Sequence, residues 1–562
     1  MSKPISEKKN VRILVDLCLE SGIKDVVISP GSRNAPLILS FSAIEDFKCF
    51  NIVDERSAAF FALGMAQQSG KAVALVCTSG TAVLNYAPAI AEAYYQGVPL
   101  LVITADRPGE WIDQADGQTI RQHGIYSNYI KYSCTLPVDI LNKDDEWHAE
   151  RLISEAIMYC NKELPGPVHI NIPFREPLYG RTVHQNRSTR KVKLHKTKGI
   201  LSENDLSELT ERWKNTERVM ILAGMRKPDS RFKAVIDELS SRERIAVLTE
   251  TLTNCHIDGA IRCIDRVVSS IREEEMALFK PDLLITFDGP IVSKMVKTFL
   301  RNNPPKEHWH ISESGEFIDT YRNLSRVIEG DPVTILQQLS DSVVPVKSRY
   351  KDTWQNRFEN VTILHNEYIK NLPWSDFYVF NFIIENLPKS CVLQLGNSTP
   401  VRYAQLFDDF NGITSYSNRG TSGIDGCVST AIGAANCNTE PVILITGDLS
   451  FFYDSNALWN QYIPDNLKII VVNNGGGGIF RFIPGPSDTE ELEQFFASGH
   501  SMNGEHIAMQ YNIDYSRCEN SDDLKKSLQV FLNKKSVAIL EIMTPVNNNA
   551  RVLKDYFSLL KK

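Results

Sequence analysis

The sequence predicts an α/β protein made of three doubly wound parallel-sheet domains. Short, continuous apolar runs alternate with helical stretches along the chain, and such runs are typical of parallel strands that helices cover on both faces. Two polar connections without hydrophobic periodicity, near 181–200 and near 345, separate blocks of similar size. A chain of 562 residues exceeds a single core at roughly 100–200 residues per domain. We therefore expect domains at 1–183, 198–345 and 350–562.

Each block contains four apolar runs that we interpret as strands. In the first block these runs end in Ser, Thr, Gly, Asp or Pro, and ligands of parallel sheets bind beyond the carboxyl ends of the strands. An amphipathic helix is predicted from 11–20, which reads VRILVDLCLE. The predicted strands are 24–31, 71–80, 99–108 and 166–174 in the first block, 218–225, 245–250, 282–290 and 308–312 in the second, and 391–398, 441–450, 467–476 and 536–543 in the third.

Composition excludes several classes of protein. The formal net charge of −7, without a Lys/Arg block, argues against nucleic-acid binding. The 11 cysteines are scattered, form no CxxC pair and indicate a reducing compartment. The polar N-terminus does not read as a signal peptide, and no apolar run approaches the ~18 residues that a bilayer span needs. We expect a cytoplasmic protein that does not insert into a membrane.

Two neighbouring strands of the third block end in groups that suit a metal ion. Gly447 and Asp448 end one strand, and Asn474, 26 positions later, ends the next strand before a run of glycines. Carboxylate and amide oxygens are hard ligands of the kind Mg²⁺ prefers, with phosphate oxygens completing its shell. A surface turn of Asn and Gly would give the same local pattern. A helix is predicted after the strand that ends at Gly447 and Asp448, with Asp454 or Ser455 as its N-terminal cap.

A carboxylate stands at the head of an apolar helix in the stretch NIVDERSAAFFALGMA (51–66). One interpretation is structural: Asp54 caps the helix, and Glu55 and Arg56 occupy its first turn, where negative charge suits the helix dipole. The other is functional, because an acid held in a dry site has a perturbed pKa and can exchange protons with a ligand. An apolar strand precedes Glu55, so the residue lies at a strand end in either case.

The pair Gly447-Asp448 and Asn473-Asn474 resembles the metal and diphosphate motif of the thiamine-diphosphate-dependent enzymes. These enzymes have three α/β domains in the order proposed here. The first binds the pyrimidine ring of the cofactor, the second is the central domain, and the third binds the diphosphate. The resemblance implies that Glu55 hydrogen-bonds the pyrimidine ring and promotes loss of the thiazolium C2 proton. It also implies that Asp448, Asn474 and the backbone carbonyl of Gly476 hold Mg²⁺, or Mn²⁺, which accepts the same oxygen ligands.

The resemblance extends to the other expected contacts of thiamine diphosphate. Ile424 is expected beneath the bent cofactor, and Leu449 stands where glycine is common in the family. The central block has no GxGxxG after a strand, so neither NAD nor FAD is indicated. The expected cofactor-binding residues are Glu55, Ser398, Ile424, Gly447, Asp448, Leu449, Ser450, Asn474, Gly476, Ile479 and Phe480.

Further motifs resemble the menaquinone-biosynthesis branch of this family, among them SPGSRNAPL, TSGTA, GQTIRQ and SNRGTSGIDG. This branch decarboxylates 2-oxoglutarate and adds the succinyl carbanion to isochorismate, and guanidinium groups suit these dicarboxylates. Two positions depart from the pattern of this branch: Lys294 stands where Arg is more usual, and Gly117 stands where Asn is more usual. We interpret His123 as a structural residue. The expected catalytic residues are Glu55, Gln118, Arg33, Arg402 and Arg419. The expected substrate-binding residues are Ser32, Arg33, Arg107, Gln118, Lys294, Asn397, Arg402 and Arg419.

In the superfamily the glutamate and the diphosphate domain meet across a subunit interface, so the resemblance implies a homodimer or a pair of dimers. Two alternatives stay open at this point. The chain could be another thiamine enzyme, such as an acetolactate-synthase-like carboligase or a 2-oxoacid decarboxylase, although the arginines would then be unexplained. It could also be a non-catalytic α/β protein that binds a nucleotide or a metabolite.

Overall fold

The computed structural model describes residues 3–162, 164–184, 191–195, 199–341, 346–483 and 485–561. These residues form three parallel sheets, each packed against helices, and the predicted fold class is confirmed. We refer to an N-terminal unit (3–184), a central unit (199–341) and a C-terminal unit (346–561). Strands and helices are numbered in chain order. Over the described ranges, every helix is too short or too polar to cross a bilayer.

The N-terminal unit has a six-stranded sheet in the order β3-β2-β4-β5-β7-β6, and a separate antiparallel pair of β1 with β8. The strands are β1 Ile5–Ser6, β2 Asp25–Ile28, β3 Lys48–Asn51, β4 Val73–Cys77, β5 Leu100–Asp106, β6 Tyr132–Thr135, β7 Val168–Pro173 and β8 Arg181–Thr182. The helices are α1 Lys9–Glu20, α2 Ala35–Phe41, α3 Glu55–Ser69, α4 Thr81–Asn85, α5 Ala87–Gln96 and α6 Lys143–Cys160. Neighbouring strand residues such as Val26 and Val27 belong to different apolar cores, so both sheet faces are covered.

The central unit has a five-stranded parallel sheet in the order β10-β9-β11-β12-β13. Its strands are β9 Val219–Ala223, β10 Ile245–Thr249, β11 Leu283–Phe287, β12 Glu307–Ser312 and β13 Arg326–Glu329. Its helices are α7 Glu203–Lys214, α8 Ser230–Ser240, α9 Ile264–Ser269, α10 Met276–Phe279, α11 Lys294–Asn302 and α12 Pro332–Asp341. Helices α9 and α11 also share an apolar core with the C-terminal unit, through residues such as Val268 and Phe299.

The C-terminal unit has a six-stranded parallel sheet in the order β15-β14-β16-β17-β19-β18. Its strands are β14 Cys391–Leu395, β15 Ile413–Tyr416, β16 Val442–Gly447, β17 Leu467–Asn473, β18 Asp514–Cys518 and β19 Ala538–Met543. Its helices are α13 Tyr350–Ile369, α14 Asp376–Glu385, α15 Thr399–Ala404, α16 Cys427–Ala435, α17 Asp448–Tyr453, α18 Glu505–Gln510, α19 Ser521–Leu532 and α20 Val546–Leu560.

All twelve predicted strands are present, and the strand before Glu55 is β3. Eleven of them are shorter than the apolar runs, whereas β12 begins one residue earlier than predicted, at Glu307. The prediction missed the short pair β1 and β8, and it missed β6, β13, β15 and β18, each of which lies at an edge of its parallel sheet. Edge strands are covered on fewer sides and carry more exposed residues, as the half-exposed β18 shows. They therefore lack the continuous apolar run that marks a buried parallel strand.

The linker predicted over 181–200 begins later than expected, because Arg181 and Thr182 pair with Ser6 and Ile5. Residues 185–190 and 196–198 of this stretch lie outside the described residues, as do 342–345 and 562. The domain boundaries at 198, 345 and 562 fall on these residues, and the division at 1–183, 198–345 and 350–562 stays a prediction.

The predicted cap at Asp454 or Ser455 is wrong. Helix α17 begins directly at Asp448 and ends before Asp454. The Asp454 carboxylate is buried and accepts hydrogen bonds from the backbone N–H and the hydroxyl of Ser429, at 2.7 Å and 2.8 Å. Burial raises its pKa to about 7. Asp454 therefore satisfies the first turn of α16 from a distance, a role that local sequence does not reveal.

Helices α3 and α16 join the N-terminal and C-terminal units, and they approach each other closely at two glycine residues. A Cβ placed on Gly64 would lie 2.1 Å from the carbonyl oxygen of Thr430, and one on Gly433 would lie 2.0 Å from that of Phe61. Both neighbours are backbone atoms of the facing helix, which a small rotamer change cannot move aside. The two helices therefore approach closely only because these positions carry no side chain.

We expect Gly433→Ala to destabilise the protein by about 1–3 kcal/mol or more, because overpacking at a rigid backbone contact forces the helices apart. Urea unfolding followed by circular dichroism measures this change. Gly109→Ala is the matched control, since a Cβ on Gly109 meets no atom within 4 Å. Equal midpoints for the two variants would contradict the proposed glycine contact.

Candidate functional site

A cavity of about 470 Å³ opens at the carboxyl end of the C-terminal sheet. Its walls come from the loops that follow β14, β15, β16 and β17, with further residues from α14 and from the start of α11 in the central unit. They include all ten of the cofactor contacts predicted within the C-terminal block, and four of the predicted substrate contacts. These lining residues are Ser398, Ile424, Gly447, Asp448, Leu449, Ser450, Asn474, Gly476, Ile479 and Phe480, with Lys294, Asn397, Arg402 and Arg419.

Asp448 and Asn474 provide oxygen atoms that fit a divalent cation. Asp448 accepts a hydrogen bond from the backbone N–H of Gly476 at 2.9 Å, and Asn474 lines the same cavity as these two residues. Oδ1 of Asn474 is buried and has no hydrogen-bond partner in the described part of the chain. A buried acceptor without a partner is costly unless a ligand satisfies it. The described residues hold no cluster of three or more His, Cys, Asp or Glu, so a metal here would need the amide and carbonyl oxygens.

Asp376 orients the Asn474 amide, and sequence reasoning missed it. The Asn474 Nδ2 donates to Asp376 Oδ2 at 2.9 Å, which leaves Oδ1 of the amide free. The other Asp376 oxygen accepts from the hydroxyl of Thr544 at 2.6 Å. Burial raises the pKa of Asp376 to about 6, and the Asp448 charge acts in the same direction. The only local signal for Asp376 is its place in the first turn of α14, where an acid is ordinary.

A second missed residue is His500, whose Nε2 lies 3.4 Å from Oδ2 of Asp448. The ring packs edge-on against Phe452, which is on α17. Burial is also the main cause that raises the pKa of Asp448, and the charge of His500 opposes that shift. No motif joins positions 448 and 500, so their contact is a product of the fold.

Two half-buried arginines, Arg402 and Arg419, give the same cavity a positive charge. The Arg419 guanidinium donates to Asn397 Oδ1 at 2.9 Å, and the Nε of both Arg402 and Arg419 is buried without a partner among the described residues. Burial lowers the pKa of each, and the charge of Arg402 lowers the pKa of Arg419 further. The charges of Asp265 and Glu250 partly offset this repulsion. Such an arrangement suits an anionic ligand.

The loop that carries Arg419 is fixed by Glu92, a buried residue of α5 in the N-terminal unit. Its carboxylate accepts from the backbone N–H groups of Gly420 and Thr421, at 2.7 Å and 2.6 Å, and from the Thr421 hydroxyl at 2.6 Å. Gln96, one turn along the helix, donates to the carbonyl oxygen of Ser417 at 3.2 Å. Sequence reasoning missed Glu92, because its partners lie more than 320 positions away.

Glu55 is the first residue of α3, and Asp54 caps this helix by accepting from the Ser57 N–H at 3.1 Å. The capping interpretation is thus correct for Asp54. Burial raises the pKa of Glu55, and the neighbouring charge of Asp54 adds to the shift. Glu55 also lies near Cys77 and Tyr86, whose pKa values its charge helps to raise. It therefore sits at the carboxyl edge of the N-terminal sheet.

The remaining predicted substrate residues gather at this same edge. Arg33 pairs with Glu176 at 3.1 Å, and burial together with the charge of Arg107 lowers the pKa of Arg33. Arg107 donates to the carbonyl oxygen of Gly117 at 2.7 Å. The predicted residues at this edge are Ser32, Arg33, Glu55, Arg107 and Gln118.

Gln118 has a backbone φ of 60°, and its carbonyl oxygen accepts from the Ser79 hydroxyl at 3.0 Å. His123, by contrast, is exposed and lies 3.2 Å from the Thr135 hydroxyl on β6. None of the predicted residues at the edge of the N-terminal sheet lines the cavity of the C-terminal unit. One chain therefore presents two separate half-sites.

Comparison with known proteins links both half-sites to one cofactor. The N-terminal TPP binding domain of thiamine pyrophosphate enzymes matches residues 9–125, and the C-terminal TPP binding domain of these enzymes matches 397–542. A 2-succinyl-5-enolpyruvyl-6-hydroxy-3-cyclohexene-1-carboxylate synthase of Flavobacterium psychrophilum is 42% identical over 547 residues, which cover 97% of this chain and 98% of the relative. The chain belongs to this synthase family.

Other members of the synthase family match equally well. Synthases of the same name from Porphyromonas gingivalis and Christiangramia forsetii are each 42% identical, over 100% and 98% of this chain and 98% of each relative. The predicted resemblance and the predicted dependence on thiamine diphosphate are confirmed, and so is the prediction of an enzyme. The matches disfavour both a non-catalytic binding protein and a thiamine enzyme of another branch.

We expect Glu92→Gln to loosen the loop that carries Arg419. The substitution replaces one acceptor oxygen with an NH₂ group that faces donors, which costs about 1–3 kcal/mol at a buried site. Hydrogen exchange at the amides of Gly420 and Thr421, followed by mass spectrometry, should accelerate by about tenfold or more. Glu211→Gln, at an exposed position on α7, is the control. Unchanged exchange at both amides would show that the Glu92 contacts do not hold the loop.

Proposed function

We propose that this protein decarboxylates 2-oxoglutarate and joins the resulting succinyl unit to isochorismate, giving 2-succinyl-5-enolpyruvyl-6-hydroxy-3-cyclohexene-1-carboxylate and CO₂ in menaquinone biosynthesis. The observation that carries the proposal is the C-terminal cavity, which is lined both by Asp448 and Asn474 and by the half-buried Arg402 and Arg419. A metal and diphosphate site next to a site for carboxylates is what this reaction needs. The names of the relatives agree with the product.

The chain's own residues hold the cofactor in this proposal. Asp448, Asn474 and the Gly476 carbonyl would hold Mg²⁺ or Mn²⁺, which would neutralise the charge of the diphosphate. When bound, thiamine diphosphate supplies the electron sink for decarboxylation and carbon–carbon bond formation. Ile424 supports the ring system from below. Glu55 holds a proton at the pyrimidine ring, and its raised pKa favours the protonated carboxyl that this role uses.

Substrate carboxylates would be bound from two sides. Arg402 and Arg419 offer partner-free Nε atoms within the cavity, and Asn397 and Lys294 line the same space. Further contacts with the substrate carboxylates would come from the edge of an N-terminal sheet. The residues there are Ser32, Arg33, Arg107 and Gln118. Guanidinium groups keep their charge after burial and bind carboxylates in a bidentate way, which suits two dicarboxylate substrates.

We further propose that the working enzyme is a homodimer or a pair of dimers, because each half-site lacks what the other supplies. The edge that carries Glu55 is flanked by exposed apolar residues, Val53 at 41% and Leu84 at 48% exposure. The cavity side carries Phe495 at 68% exposure and Phe496 at 39%, and Phe496 packs against the cavity residue Phe480. Exposed apolar side chains around two complementary half-sites favour burial against a second copy.

A cytoplasmic location is part of the proposal. All 11 cysteines are free thiols, and nine of them are buried. This usage fits a reducing compartment, where cysteine serves as a small apolar residue.

The substrate assignment is tested with metal-stripped protein to which thiamine diphosphate, Mg²⁺ and 2-oxoglutarate are added. We expect isochorismate to be consumed only when all three are present, because binding of the cofactor's diphosphate would need a divalent cation at Asp448 and Asn474. Spectrophotometry of isochorismate measures the rate, and pyruvate in place of 2-oxoglutarate is the control. Turnover of pyruvate without consumption of isochorismate would overturn the assignment and favour a decarboxylase.

A mixing experiment tests whether Glu55 and Asp448 of one site belong to different chains. We expect Glu55→Gln and Asp448→Ala to be nearly inactive alone. After dissociation and reassembly of a 1:1 mixture, activity should return to about a quarter of the wild-type value, because half the dimers are mixed and each has one native site.

Mixing each variant with itself is the control for the reassembly step. If the mixture stays as inactive as its components, although mixed dimers form, the two residues act within one chain and the shared site is refuted. Near-normal activity of the Glu55→Gln variant alone would contradict the proposed role of Glu55 at the pyrimidine ring.

A further inference from the structure

A second chamber of about 940 Å³ lies next to the cofactor cavity, between the central and C-terminal units. Its walls come from α9 and α11 of the central unit and from α15 and α20 of the C-terminal unit. They are mainly apolar, with Val268, Ile271, Phe299, Leu406 and Phe557 among them. Among the described residues, every one that lines the chamber belongs to the central or the C-terminal unit.

The chamber adjoins the cofactor cavity directly. Lys294, Arg402 and Ile483 line both spaces. Arg402 stands at this boundary with a buried Nε that has no partner among the described residues. A ligand that leaves the chamber at this end therefore meets the positive charge of the cofactor cavity.

The lining of the chamber carries four cationic groups. Lys294 and Arg402 stand where the chamber meets the cofactor cavity, and Lys554 on α20 and Lys561 directly after this helix add positive charge elsewhere in the lining. The lining carboxylate is Asp265, which is hydrogen-bonded by the Ser293 hydroxyl and whose charge acts on Arg402. Apolar walls combined with cationic groups suit a ring that carries carboxylates.

We propose that this chamber binds the ring-bearing dicarboxylate, isochorismate, on its way to the cofactor cavity. The inference rests on the proposed function. Linear 2-oxoglutarate has little apolar surface to bury against these walls, whereas a six-membered ring does. In the proposed dimer the partner's N-terminal unit covers the open side of the cofactor cavity, and the chamber provides an entrance that the partner does not form.

Cavity-filling substitutions at exposed wall positions test the chamber without disturbing a core. Thr298 on α11 and Ser558 on α20 are both exposed and both line the chamber. We expect Thr298→Trp and Ser558→Trp each to lower kcat/KM for isochorismate about tenfold, because the indole occupies space that the ring needs. Asp555→Trp, exposed on the same helix but outside the chamber, is the matched control and should leave kcat/KM unchanged.

Release of labelled CO₂ from 2-oxoglutarate in a single turnover, without isochorismate, reports the cofactor cavity alone. This rate should stay within about twofold of the wild type in all three variants, because the narrow linear substrate does not depend on the apolar walls. Chamber variants that behave like Asp555→Trp toward isochorismate would overturn the proposal. An equal loss of isochorismate turnover and of CO₂ release would also overturn the proposal, because it would show that the substitutions impair the cofactor cavity. Failure of the wild type to release CO₂ would instead refute the proposed function.

Discussion

The close contact between α3 and α16 fixes how the rest of the molecule is arranged. Gly64 and Gly433 allow the two helix backbones to touch, so the N-terminal and C-terminal units are held side by side. In this arrangement Glu55, the first residue of α3, does not line the cavity of its own chain. The same arrangement brings Glu92 on the neighbouring helix α5 onto the loop that carries Arg419. The N-terminal unit thus supports the cavity of its own chain, while its Glu55 lies outside that cavity.

The central unit supports the same cavity from the opposite side. Asn254 pairs with edge strand β15, since its amide accepts from the Ser415 N–H at 2.7 Å and donates to the Ser415 carbonyl at 2.9 Å. This side chain satisfies backbone groups that an edge strand otherwise leaves open, shortly before Arg419. Glu250 and Asp265 of the same unit moderate the charge of Arg402, and Glu250 also acts on Arg419. The positive charge of the cavity is therefore balanced by residues from outside the C-terminal sheet.

Prediction from the sequence succeeded where local pattern and structure coincide. Buried parallel strands were found because each is a continuous apolar run, and Asp448 and Asn474 were found because they follow such runs directly. Edge strands such as β13 and β18 were missed, since partly exposed strands carry no such run. The cap at Asp454 was predicted wrongly, because the burial of Asp454 against α16 outweighed its local turn chemistry.

The sequence by itself determined the three α/β blocks, the residues at the strand ends and, through its motifs, the synthase family. Those features depend on hydrophobic periodicity and on short motifs whose residues are close together in the sequence. The tertiary structure alone decided that Asp376 holds Asn474, that Glu92 holds the Arg419 loop, and that Glu55 stands apart from its own chain's cavity. These relations join residues from 98 to more than 320 positions apart, and only packing brings such positions within the reach of a hydrogen bond.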